Sequence, residues 1–298
     1  MQTANKLNDL INSVAQETLL QFADKNLQAN ELAISLIDFA EPQTMANFRG
    51  EEPIFPASIV KLFYLAAVHQ WLEDKKLIET DELKRACKDM IVDSSNDATH
   101  YVLDILTQTT GGPELPAAEM AEWAYKRNAV NRYFQSLGYK NININQKTWG
   151  EGPYGREEIF VGKDRENRNA LTTNATARLL AEIACGKCVS KERSQIMLNL
   201  LARDFTKPAD DPDNQAVGFM GSSLPKDAKL WSKAGWMSRA RHDAAYIELA
   251  GGICFVLVVF IIDHARDYWI LPTVATKVIK ALEEHHKTEK QREEVSHK

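Results

Sequence analysis

The sequence predicts a mixed α/β (α+β) fold, an antiparallel sheet flanked by helices with an all-helical subdomain inserted between its strands. Three observations predict it. Strand-like stretches lie at both ends of the chain: ELAISLIDF at 31–39, then KLWSKAGWM (229–237), DAAYIELA (243–250) and ICFVLVVFII (253–262). Helical periodicity dominates between them, from Ser58 to about Ala184. The pair Gly251-Gly252 is a hairpin signal between the last two strands, so they run antiparallel. A sheet assembled from both termini around a helical insertion satisfies all three.

The elements follow in order. Residues 1–29 hold an amphipathic helix with apolar positions at Leu7, Leu10, Ile11 and Val14. No basic flank precedes an apolar core there, so it is not a signal peptide. The expected location is therefore cytoplasmic as written, and periplasmic or secreted if a leader has been removed. Residues 30–282 are expected to form the main domain, with the sheet from 30–57 and 228–282 and the helical subdomain over about 58–205. Residues 43–52 read as a turn and a weaker strand. Helices are expected at 58–74, 79–92, 96–108, 117–136, 173–184 and about 190–203. Residues 145–171 contain Gly150, Gly152, Pro153, Gly155 and Gly162 and read as a long irregular loop, a feature that usually serves function. Asp210, Asp211, Pro212 and Asp213 mark a surface connection. A last helix starts near Leu271 and runs into a charged tail, 283–298, expected to be solvated and fraying rather than a metal site at His285 and His286.

Bulk properties narrow the function. With 298 residues, 44% hydrophobic and 26% charged, the chain can bury a sizeable core. A net charge of −5 gives no basic patch for nucleic acid or anionic lipid. The longest apolar run, Ile253 to Ile262, is too short to span a bilayer. Cys87, Cys185, Cys188 and Cys254 are too few for a disulfide scaffold. Cys185 and Cys188, in ACGKC, could form a redox pair, but a helix ending at Gly186 with incidental thiols is the simpler reading. The expectation is no nucleic acid, membrane or metal.

Ser58-Ile59-Val60-Lys61 raises the chemical question. It opens a long apolar helix, where a buried ammonium is costly unless paired or neutralised. Either Lys61 points to water or it is held beside Ser58 for a chemical reason. Two further polar signatures follow: Ser94-Ser95-Asn96 at a helix–helix turn, and Lys233-Ala234-Gly235 on a strand before a hairpin. Each is weak alone. Together and in this order they resemble the S-x-x-K, S-x-N and K-T-G motifs of the penicillin-recognising serine hydrolases. The resemblance spans about residues 30 to 280 and is strongest to the class A β-lactamases, because TTNATARLLAEIACG (172–186) is similar to the helix after that family's Ω-loop.

The resemblance implies a β-lactamase/transpeptidase-like fold, an acyl-enzyme on Ser58, and a monomer acting on a small-molecule substrate with no metal or organic cofactor. Residues i and i+3 share a helix face, so Lys61 can reach the Ser58 hydroxyl. Burial, the positive end of the helix dipole and a nearby Lys233 would each favour the neutral amine, which can then take the serine proton. Ser94 would pass that proton to the leaving nitrogen. Asn96 would bind a substrate amide and steady Lys61. The N–H groups of Ser58 and Trp236 would form the oxyanion hole. His242 and Asp243 offer a rival triad with Ser58, but neighbours on a strand face opposite ways.

Four departures bear on activity. Ala234 lacks the hydroxyl that helps hold a substrate carboxylate, leaving Arg239 or Arg241 as substitutes. Only 35 residues separate Ser58 from Ser94, so a rim loop is expected to be missing. Counting back from Thr172-Thr173 puts Glu158 at the Ω-loop base and Gly162 where an asparagine holds the water; a second register puts Glu151 at the base instead. Leu171 replaces a bracing acid, so the loop is expected to be unbraced and mobile. The sequence thus points to a serine hydrolase of amides or esters, with a β-lactam the leading substrate. The alternatives are an esterase or D-Ala-D-Ala peptidase of the same fold, or a sensor that stays acylated.

Overall fold

The structure, a computed structural model, describes residues 2–41 and 44–296. Along the chain these form α1 (Gln2–Gln21), β1 (Leu32–Asp38), β2 (Met45–Phe48), α2 (Val60–Glu73), α3 (Asp81–Val92), α4 (Asn96–Thr107), α5 (Ala117–Arg127) and α6 (Ala129–Ser136). Then come α7 (Arg156–Val161), α8 (Thr173–Ala184), α9 (Lys191–Leu201), β3 (Ala202–Arg203), β4 (Lys229–Met237), β5 (Ala240–Glu248), β6 (Cys254–Ile262) and α10 (Ile270–Ser296). The chain divides into two compact units, Met1–Gly50 with Arg203–Lys298, and Glu51–Ala202.

The first unit is built on a sheet of order β2-β1-β6-β5-β4-β3. The ladders β1–β2, β1–β6, β5–β6 and β4–β5 are all antiparallel. All seven residues of β1 are buried, which explains why its sequence alternates only loosely. One face of the sheet packs against α1 and α10 through Leu7, Ile11, Ile34, Leu257, Val274 and Val278. The Gly251-Gly252 hairpin is longer than two residues: Leu249 N–H donates to Ile253 O, and Gly252 sits at φ +83°, where glycine is strain-free. Gln43, in the expected turn before β2, lies outside the described residues.

Three expectations are corrected here. The helix expected over 190–203 stops at Leu201, and Ala202–Arg203 adds a short edge strand. The helix expected over 117–136 is two helices, divided at Asn128. The fraying tail is, as far as Ser296, a continuation of α10. Lys6 pairs with Glu289 at 2.7 Å and Lys277 with Glu17 at 3.0 Å, tying α10 antiparallel to α1. His286 bonds Asp38 at 2.5 Å and His285 bonds Glu41 at 3.3 Å, so the two histidines meet carboxylates near the end of β1. Residues 297 and 298 lie outside the described residues.

The second unit is helical and centred on α2, in which every residue from Val60 to His69 is buried. A helix apolar all round is an interior helix. Thr80, Ser95, Thr172 and Ser190 cap α3, α4, α8 and α9 by accepting a backbone N–H. Ile54 and Leu171 exchange backbone hydrogen bonds of 2.8 and 2.9 Å, which close the 145–171 segment back onto the strand-like entry to Ser58.

Asp243, on β5, is fully buried, with Oδ2 accepting the Met220 N–H at 3.1 Å and Oδ1 lacking a partner. Burial pushes its carboxyl up to about 7. The folded state therefore holds this proton to higher pH than the unfolded chain, and stability is lost as pH rises from about 4 towards 7. An amide removes that loss. Asp243→Asn should gain on wild type by on the order of a few kcal/mol between pH 5 and pH 8 in denaturant titrations. An equal difference at both pH values would contradict a buried ionising carboxylate.

Candidate active site

Ser58 sits half-buried in a one-turn 3₁₀ segment, Ala57–Ile59, that leads directly into α2. Ala57 before it has φ +46°, a left-handed conformation that a non-glycine residue adopts at a cost of about 1–3 kcal/mol. Such strain concentrates where a side chain must be presented in one direction. Lys61, in the first turn of α2, is 0% exposed. Its Nζ donates to Ser94 O at 2.6 Å, to Ser94 Oγ at 3.2 Å and to Asn96 Oδ1 at 2.9 Å. The lysine does not point to water, nor does it hydrogen-bond to Ser58; its partners are Ser94, in the turn between α3 and α4, and Asn96, the first residue of α4. Ser94 itself has φ +55°, and it is the carbonyl of this left-handed residue that Lys61 meets most closely. All three acceptors are uncharged. Burial therefore dominates, and pulls the ammonium down to about 7.

The third motif lies on β4 of the sheet unit. Lys233 is fully buried and donates to Gln215 Oε1 at 2.5 Å and to Ala234 O at 2.8 Å. Gln215 Oε1 also accepts the Ala234 N–H at 3.3 Å. Gly235 is buried, and Trp236 is 51% exposed at the end of the strand. His242 Nδ1 accepts the Ile261 N–H at 3.0 Å, which removes it from any triad. Arg241 is corrected: it is 1% exposed, and its guanidinium binds Asp213 at 2.7 Å, Pro212 O at 2.9 Å and Gly218 O. It also lies over the rings of Phe219 and Tyr268. That side chain holds the 212–219 connection in place and is not presented to a substrate carboxylate. Arg239 is exposed and paired with Asp263.

The 145–171 segment departs furthest from expectation. Glu158, the expected base, is exposed on α7, and Glu151 is exposed as well. The carboxylate turned inward is Glu157. Both of its oxygens are taken by Arg127, at 2.8 and 2.7 Å, and Lys147 stands 3.4 Å away. Asp104 completes the cluster, 2.8 Å from Lys147 and 3.4 Å from Arg127. The segment is therefore braced. Phe160 packs edge-on to Trp123, whose other neighbour is the Arg127 guanidinium. Gly155 lets α7 start against the Gly112 carbonyl, which a Cβ there would meet at 2.2 Å. Gly162 ends α7 at φ +84°, so an asparagine at that place would be strained.

A second brace is made of amides. Asn131 bonds Asn143 and Asn128, Asn143 and Asn145 both donate to Asn167, and Asn169 joins Asn145 and Gln146. No single acid carries the work expected of the residue at Leu171. The repeated asparagines in NININ and RNAL were the only signal in the sequence, and they carry no charge to mark them. Cys185 and Cys188 are free thiols at the end of α8, and burial pushes Cys188 up to about 12. Among the described residues no cluster of His, Cys, Asp and Glu is arranged to hold a metal ion.

A model of the β-lactamase enzyme family matches residues 16–282. The chain belongs to the β-lactamase enzyme family. Solved structures of the same fold include a mutant of the TLA-1 extended-spectrum β-lactamase, at 17% identity and TM-score 0.66, covering 91% of this chain and 99% of that one. A mutant of PBP-A, solved as an acyl-enzyme complex with penicillin G, aligns at 16% identity and TM-score 0.65 over 92% of this chain and 97% of that one. A β-lactamase from Sphaerobacter thermophilus aligns at 18% identity and TM-score 0.61 over 84% and 89%. No curated protein matches the sequence.

The two glutamates of α7 give a direct test. Removing the Glu157 charge leaves Arg127 buried without its bidentate partner, a loss of about 3–5 kcal/mol. Glu157→Gln should therefore lower the unfolding midpoint sharply, whereas Glu158→Gln should stay within about 0.5 kcal/mol of wild type. Equal effects in thermal or denaturant unfolding would contradict the inward placement of Glu157.

Proposed function

We propose that this β-lactamase family member is a serine acyl hydrolase in which Ser58 attacks a strained amide, with a β-lactam as the leading substrate, and in which release of the acyl group is the slow half. The observation that carries the reading is the buried amine of Lys61, a residue one helical turn after Ser58, held by three uncharged acceptors. A neutral amine in that place can take the Ser58 proton as the hydroxyl attacks. Ser94, hydrogen-bonded to the same amine, can hand the proton on to the leaving nitrogen. Asn96 would hold both Lys61 and a substrate amide. Lys233 and the N–H of Trp236 keep the roles that the family implies for the third motif.

Slow release is supported by the placement of the carboxylates. Glu157 is locked to Arg127, and Glu158 and Glu151 are exposed, so none of them hydrogen-bonds to the Lys61 amine. A carboxylate base for water is the part of the class A pattern with the least support in this chain. The likeness to a mutant of PBP-A captured as an acyl-enzyme with penicillin G fits the acyl-enzyme part of this reading. The second reading, hydrolysis of a peptide or another ester by the same serine, is favoured by Ala234, which lacks the hydroxyl for a β-lactam carboxylate.

Mixing the protein with a chromogenic cephalosporin while following colour and intact mass separates these readings. The expected result is rapid formation of an adduct on Ser58 followed by slow turnover. Fast turnover with no adduct would overturn slow release, and neither colour nor adduct would favour the second reading. Ser58→Ala should abolish the adduct. Lys61→Met should slow its formation by about 10²–10⁴-fold, the worth of a positioned base. Because Lys61 acts as the free amine, the wild-type acylation rate should rise with pH through about 7 and then level off. The Lys61→Met rate should be flat over that range.

A further inference from the structure

Helix α4 carries a ladder of polar side chains on one face. Asn96, His100 and Asp104 are spaced by four and so point the same way, one turn apart. Asn96 accepts from Lys61. His100 Nε2 lies 3.0 Å from Thr148 O, and since a carbonyl only accepts, this nitrogen carries the hydrogen. Asp104 accepts from Lys147 at 2.8 Å. From the other side, the Tyr64 hydroxyl donates to Gln146 O at 2.7 Å, and Tyr64 is one turn beyond Lys61 on α2. Residues 146–148 are thus pinned at three successive positions to α2 and α4, each about one 5.4 Å helical turn, or two, from the Lys61–Asn96 contact.

Within this pinned stretch, the Thr148 hydroxyl is buried and has no hydrogen-bond partner in the protein. Buried hydroxyls almost always have a partner, so one that retains its full capacity, in a stretch pinned to the two helices that carry Lys61 and Asn96, points to a ligand, and a hydroxyl suits water. The acylating atoms do not need it: the three acceptors of Lys61 belong to Ser94 and Asn96 alone.

We propose that Thr148 Oγ1 holds the water that releases the acyl group from Ser58, and that His100 is the positioning residue that fixes Thr148 by binding its carbonyl. The proposal rests on the Ser58 acyl-enzyme reading. In the step, the water oxygen bonds to the acyl carbon and the bond from that carbon to Ser58 Oγ breaks. One water proton ends on Ser58 Oγ, passed through the Lys61 amine, and the acid product leaves. Thr148 donates or accepts one hydrogen bond throughout and is neither oxidised nor consumed.

The test follows intact mass through formation and decay of the adduct with benzylpenicillin. Thr148→Val keeps the shape and removes the hydroxyl. It should leave the rate of adduct formation within about twofold of wild type and slow its decay at least about tenfold, roughly the worth of one lost hydrogen bond. Thr148→Ser should restore decay. His100→Ala should slow decay while leaving formation unchanged, a split that a loss of fold would not produce. If Thr148→Val fails to fold, Thr148→Ala makes the same comparison. Unchanged decay in the Val or Ala variant, or decay that Ser does not restore, overturns the assignment of Thr148 while leaving the Ser58 reading intact. Absence of both adduct and penicillin hydrolysis in the wild-type protein overturns both.

Discussion

The candidate site depends on one electrostatic constraint, the burial of the Lys61 ammonium against neutral partners. A charged amine taken out of water must be paired or must lose its proton. Here the partners are a carbonyl, a hydroxyl and an amide oxygen, enough to orient the amine but not to hold its charge. Had a carboxylate been among them, the lysine would have stayed protonated and been useless as a base. The surrounding structure serves this arrangement. The apolar face of α2 on every side of Lys61 keeps water out, and the left-handed turns at Ala57 and Ser94 place the serine and the lysine's carbonyl partner.

Much of this was legible in the sequence because the informative groups are close together in it. Ser58 and Lys61 are one helical turn apart, and Ser94-Ser95-Asn96 forms a cap, so local rules place them. The strands at both termini and the buried run of β6 could be seen from periodicity alone. The partner of Lys61 was less visible. Spacing brings Lys61 to the Ser58 face, yet the hydrogen bonds run to residues more than thirty positions away; the one to Asn96 was expected only through the resemblance, because no local pattern reveals it.

The departures share a cause. Glu157 and Glu158 are adjacent in a helix of six residues, too short for periodicity to say which faces inward. The choice is made by Arg127, thirty positions earlier. Arg241 looked available as a cation a few residues beyond the third motif, but Asp213 and two carbonyls of a distant connection surround it. The tail beyond 282 looked solvated because its charges repeat without an apolar stripe. Its helix is extended instead by carboxylates near β1 and by Lys6 of α1, partners from the other end of the sequence. The asparagine brace of the 145–171 segment belongs to the same class, built from long-range amide bonds that leave no charge signature.

The account stands most directly on the protonation state of Lys61. Following the Lys61 side-chain carbons by NMR as pH is raised, with the signal assigned by its loss in Lys61→Met, measures this without any substrate. The account predicts a titration midpoint near 7. A midpoint near the ordinary lysine value of about 10 would show the amine charged at neutral pH, and would contradict its role as the base for Ser58.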